Sequence, residues 1–223
     1  MTKQIVETPD GGVARLIAIG GKPLGATQSQ QEITRLETLS ADPTIEAHRR
    51  RDEIRDATRV QKSMQLLPTA FLYRYIGSAP TSNGPVIRLA FDPNPTFTPP
   101  DFESRVLTGI RGEIWIDPDD IRVVRIGSRI FKPVDYGWGI LGTLYPGATL
   151  QIEQTKTSTC GWQLAHLALH LEGKALMFKS VHIVTDETAS NYQWVPSGWT
   201  YQDAIRWLLQ KPDEQANSKR TRY

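Results

Sequence analysis

At 223 residues, with 39% hydrophobic and 22% charged residues, the chain sits in the ordinary globular range, which excludes a disordered or fibrous protein and allows a normal core. A net charge of only +2 excludes a global field that would gather nucleic acid or an anionic membrane surface. The single cysteine, Cys160, excludes an internal disulfide and argues against a thiolate metal site.

From the start, residues 3–7 and 13–19 read as two short strands around Asp10-Gly11-Gly12, which supplies the positive φ of a tight turn. From Thr27 the pattern becomes helical, with Ile33, Leu36 and Leu39 on one face. A second helix is expected over residues 43–67, with Asp42 as N-cap and Pro43 at the first helical position. Its apolar stripe is narrow (Ile45, Ile54, Val60, Met64 and Leu67), so one face should lie in water. The run His48, Arg49, Arg50, Arg51, with Arg55 and Arg59, is interleaved with Asp52, Glu53 and Asp56 and reads as a solvated helix face.

Beyond Pro68 the pattern is β. Strands are expected over 71–76, 86–91, 105–117, 121–130, 134–136, 149–157, 162–171 and 175–185, with turns at Ser82-Asn83-Gly84, Asp117-Pro118-Asp119-Asp120 and Glu172-Gly173-Lys174. Short turns between consecutive strands imply an antiparallel meander. The proline-rich piece from Asp92 to Pro100 reads as an extended connection within that meander. Leu150 and Ile152 alternate with Gln151 and Glu153, and Leu167, Leu169 and Leu171 with His166, Ala168 and His170. One sheet face is therefore apolar and the other wet, and the helices over 27–67 and 201–210 are the expected cover. Thr200, with Asp203 three residues on, caps the last helix. One domain over residues 1–212 and a disordered tail over 213–223 are expected.

No assembled catalytic set is visible: there is no nucleophile elbow, no phosphate-binding glycine loop opening a helix and no HExxH. Asp117, Asp119 and Asp120 are explained by the turn they form, which leaves Asp135 as the acid least easily dismissed. His166 and His170 lie about 13 Å apart along a strand and cannot share one ion. A turn about Gly173 would set His182 opposite His166, but two histidines lack a third ligand, so no metal is expected. The segment Gly137-Trp138-Gly139-Ile140-Leu141-Gly142 reads as a close-packed bend, not a dinucleotide loop.

In order along the chain stand Gly20-Gly21-Lys22-Pro23-Leu24, Leu67-Pro68-Thr69-Ala70-Phe71, Phe91-Asp92-Pro93-Asn94-Pro95, Gly112-Glu113-Ile114-Trp115-Ile116-Asp117, Asp135-Tyr136-Gly137-Trp138-Gly139-Ile140-Leu141-Gly142 and Gly173-Lys174-Ala175-Leu176-Met177-Phe178-Lys179. In this succession, over residues 3–211, the chain resembles a family of uncharacterised acidobacterial-type envelope proteins, itself similar to the outer-membrane lipoprotein-sorting proteins LolA and LolB. The resemblance implies an α+β, mainly β fold: a curved antiparallel sheet forming an unclosed half-barrel, with helices on its concave face. It further implies a cavity for acyl chains, no cofactor, and a periplasmic or envelope location. Residues 1–25 carry no signal-peptide pattern and no stretch approaches about 18 apolar residues, so neither a leader nor a transmembrane helix is expected in this chain, whose start would then be truncated relative to that family.

The expected function is thus a non-enzymatic envelope protein that binds lipid or a lipoprotein acyl chain. Trp115, Trp138, Ile140, Leu141, Leu167, Leu169 and Phe178 are the expected cavity lining. The alternative keeps the fold with a filled core and binds an envelope protein partner through its surface, for instance through Arg49, Arg50, Arg51 and Arg55.

Overall fold

A computed structural model describes residues 1–137, 141–176 and 179–211, with residues 43, 45, 46, 49 and 53 described by backbone alone. It is mainly β, with a large antiparallel sheet that does not close into a barrel. The chain groups into a terminal unit, Met1–Gln61 with Val195–Tyr223, and a central unit, Lys62–Trp194.

In the terminal unit, β1 (Thr2–Thr8) and β2 (Gly11–Ile19) form the expected hairpin, extended by the short β3 (Lys22–Pro23). Val6 and Val13 pair across this hairpin and need an apolar cover. Helices α1 (Ala26–Ala41) and α3 (Tyr201–Gln210) supply it: Leu36, Leu39, Ala204, Ile205 and Leu208 join Val6, Val13 and Tyr201 in one buried cluster. The sequence pattern assigned the apolar faces of these helices to the long meander. Their buried residues instead make a core with β1 and β2, because that hairpin has an apolar side of its own to cover. Thr200 caps α3 as expected, its Oγ1 accepting from the Asp203 amide while the Asp203 carboxylate accepts from the Thr200 amide.

Helix α2 (Pro43–Ala70) begins at Asp42, whose carboxylate accepts from the Thr44 amide at 2.8 Å. It runs through Pro68, three residues beyond the expected end. Its last carbonyls find donors outside the helix: Asn94 donates its amide N–H to Ala70 at 2.8 Å and its side-chain Nδ2 to Thr69 at 3.0 Å. Of the apolar stripe, Ile54, Val60 and Met64 are exposed, while Leu66 and Leu67 pack against Ala70, Phe71, Phe91 and Leu107.

The central unit is a meander: β4 (Phe71–Thr81), β5 (Gly84–Pro93), β6 (Ile110–Asp117), β7 (Arg122–Ile130), β8 (Val134–Tyr136), β9 (Gly142–Leu144), β10 (Thr149–Thr157), β11 (Gly161–Ala175) and β12 (Lys179–Thr188). Its pairing order begins β4-β5-β6-β7-β10-β11, and β12 lies along the other side of β11. Residues 105–109, expected as the start of a strand, belong instead to a 3-10 turn (Glu103–Gly109) that places Leu107 against Phe71 and Phe91. A short apolar run such as Val106-Leu107 carries no period that separates the two conformations.

Between β6 and β7, the Asp117 carboxylate accepts from the amides of Asp119 and Asp120 at 2.9 Å, so these acids serve a turn, as read from the sequence. The turn leaves Ile121 at φ 48°, where a β-branched residue is strained by about 1–2 kcal/mol. Ile121 is 87% exposed, so its side chain contributes little packing. Ile121→Gly should therefore raise stability by about 0.5–1 kcal/mol after the entropy of the unfolded glycine is subtracted. Urea denaturation checks this; a lower midpoint would mean that the left-handed turn is not what the chain adopts.

Candidate functional site

The pairing register sorts the central sheet into two chemically distinct faces. Leu89, Ile114, Ile126, Ile152 and Leu167 are successive Cα partners across β5, β6, β7, β10 and β11. This is an unbroken aliphatic row over five strands, and none of its residues is fully buried. Alongside it run Leu150 paired with Leu169, and Leu171 paired with Ile183 of β12. Gly112 leaves room on this face: a Cβ there would lie 2.9 Å from the Phe91 ring and 2.0 Å from the Gly127 carbonyl oxygen.

The opposite face is polar. Arg88, Trp115, Arg125, Glu153 and His166 form the corresponding row on those five strands. Trp115 lies between two guanidinium groups, with the Arg125 carbon 4.6 Å and the Arg88 carbon 5.5 Å from its ring centre. Its indole N–H donates to Glu113, which also accepts from Arg88. The Arg88 guanidinium holds the Glu113 carboxyl below its ordinary pKa, more than offsetting the opposing effect of burial, and Trp115 adds to this. Arg125 pairs with Glu153 at 3.3 Å and Arg111 with Asp92 at 3.3 Å. A groove of about 700 Å³ follows this face past Ala90, Glu113, Trp115, Arg125, Gly127 and Gln151. Arg88, Arg111 and Arg125 are thus each matched to a carboxylate, and Arg129 adds a further cation to the groove lining.

Of the seven expected lining residues, Trp138, Ile140 and Phe178 lie outside the described residues. Leu167 and Leu169 stand together on the aliphatic face. Trp115 stands on the other side of the sheet, because β-strand side chains alternate and its neighbours Ile114 and Ile116 take the aliphatic side. That parity was present in the sequence, and applying it would have put Ile114, Ile126 and Ile152 in the lining and Trp115 out of it. Leu141 is exposed at the β8–β9 connection, where its amide donates to the Tyr136 carbonyl at 3.2 Å. Asp135 accepts from the Thr143 hydroxyl at 2.8 Å in an exposed hydrogen bond between β8 and β9.

The histidines move relative to the expected register. Strand β11 continues through Gly173 to Ala175, so the chain turns later than Glu172-Gly173-Lys174 suggests. Gly173 is there for close approach: a Cβ would lie 2.6 Å from the Thr143 carbonyl oxygen of β9. His182 consequently pairs with Glu172 and not with His166, which instead meets Asp186 at 3.0 Å. No helix among the described residues is long and apolar enough to cross a membrane. No family model, curated protein or solved structure matches the chain.

Proposed function

We propose that the aliphatic face of the central sheet binds a long acyl chain, from a lipid or a lipoprotein, without catalysis. The observation that carries this reading is the in-register row Leu89, Ile114, Ile126, Ile152 and Leu167, continuous over five strands and nowhere fully buried. Burying such a face is favourable at about 25 cal/mol per Å² of apolar area. The row presents side chains without hydrogen-bonding groups, so its ligand should need none. Five strands at about 4.8 Å spacing give a track about 19 Å long, on the scale of an extended fatty acyl chain. The likeness to lipoprotein-sorting proteins points the same way and goes with a periplasmic or envelope setting.

The test is native mass spectrometry of the purified protein, followed by titration with a fluorescent fatty acid. Uptake is expected for the parent chain, and Leu169→Glu should abolish it by placing a charge on the track. Arg125→Ala, on the polar face, should leave uptake within about twofold. A folded chain that carries no lipid and takes up no fatty acid would overturn the reading and leave the face to a protein partner.

A further inference from the structure

We propose that His170, Glu172 and His182 form a binding site for a divalent transition metal of the zinc class. The site belongs to the polar side of the sheet and does not depend on the acyl-chain reading. Three facts of register assemble it. Glu172 on β11 is the direct Cα partner of His182 on β12; His170 lies two residues along β11, on the same face; and the strands continue past all three.

The His170 Nε2 atom is 3.3 Å and the His182 Nδ1 atom 3.6 Å from the same oxygen, Glu172 Oε1. All three ligand atoms lie within 4.8 Å of one another, and the two rings stand at 77° with centroids 5.5 Å apart. The ring-to-carboxylate separations are longer than the usual N–H···O range of about 2.7–3.2 Å. Bonds of about 2.0–2.1 Å in a tetrahedron put ligand atoms about 3.3–3.4 Å apart, which the His170 separation meets and the His182 separation exceeds by a few tenths of an ångström. The third edge, between the two imidazoles, is at most 4.8 Å and must shorten by ring rotation when an ion binds.

The donor set chooses the metal. Two imidazoles with one carboxylate suit zinc, cobalt, nickel or copper, whereas magnesium and calcium require mostly oxygen ligands. Three protein ligands leave a coordination position open. The side chains are 41%, 52% and 63% exposed for His170, Glu172 and His182, so that position faces solvent and admits water or an exogenous ligand. Because β12 pairs only with β11 in the described sheet, a bound ion would also fasten this outer strand to its neighbour.

The experiment is isothermal titration of the untagged, chelator-treated full chain with ZnCl2. One ion per chain at micromolar affinity is expected, weakened at least about tenfold by His170→Ala, by His182→Ala and by Glu172→Gln. His166→Ala, four residues along the same strand and face, should leave affinity within about twofold. All four side chains are at least partly exposed, and circular dichroism verifies that each variant is folded. As a second readout, Co²⁺ should show the intense visible bands of a tetrahedral site in the parent chain and lose them in His182→Ala. No binding below millimolar zinc in the folded parent chain, affinity that survives the double substitution His170→Ala with His182→Ala, or equal loss on His166→Ala would each overturn the proposal.

Discussion

Leu208→Ala should destabilise the terminal unit by about 3–5 kcal/mol, the upper part of the range for a buried leucine. Leu208 has no exposed surface and sits where α3 meets β1, β2 and α1, in a cluster of eight buried apolar residues among those described. Removing its isobutyl group loses the transfer free energy and leaves a cavity that Leu36 and Ile205, themselves fully buried, have little freedom to fill. A core this small has few other contacts to offset the loss. Hydrogen exchange measures it directly: protection should fall in β1, β2, α1 and α3 and stay near its parent value in β10 and β11. Leu167→Ala, on the half-buried aliphatic row, is the contrast and should cost well under half as much, since much of that side chain already meets solvent. A cost below 1 kcal/mol for Leu208→Ala would mean that these helices and the hairpin do not form a cooperative core.

Much of the central sheet was legible because alternation is a local signal. Leu150, Ile152, Leu167 and Leu169 announce their common face by period alone, and the register bears this out. The capping of α3 by Thr200 was equally legible, since an N-cap and its partner lie within four residues. What was misread depends on neighbours distant in sequence. Gly173 looks like a turn residue, yet it is selected by the close approach of the Thr143 carbonyl, some thirty residues earlier in the chain. The turn falls instead at Leu176, whose φ of 49° no composition rule favours. That shift of register decides the metal proposal, because it takes His182 away from His166 and sets it across from Glu172. Which sheet the helices cover was likewise hidden: an amphipathic stripe states that a face will be buried, not what will bury it.

Arg15→Met should cost about 3 kcal/mol, although Arg15 is a charged residue in a strand of a small hairpin. Its side chain is 4% exposed, and its Nη1 donates to the carbonyls of Leu208 at 2.5 Å and Lys211 at 2.6 Å. These carbonyls belong to the C-terminal end of α3, where acceptors lack intrahelical partners and the helix dipole favours a cation. Methionine fills similar volume but leaves those acceptors without this donor, so α3 should fray from its C-terminal end. The same guanidinium acts on Glu32. Burial pushes the Glu32 carboxyl up, but hydrogen bonds from Arg35 and the Leu16 amide, with the charges of Arg35 and Arg15, outweigh it and hold the pKa below the ordinary value. A depressed carboxylate pKa means that the unfolded chain binds the proton more readily. The stabilisation is therefore complete above the unfolded value of about 4.3 and is lost as pH falls through the lower folded value. Glu32→Gln should accordingly lower stability most at neutral pH, and its deficit should shrink in that acid window. Arg15→Met, by removing one of the charges that depress the carboxyl, should narrow the window from below. Urea denaturation from pH 3 to 7 tests both, and a Glu32→Gln deficit independent of pH would show that the carboxylate charge contributes nothing to holding α1 on β2.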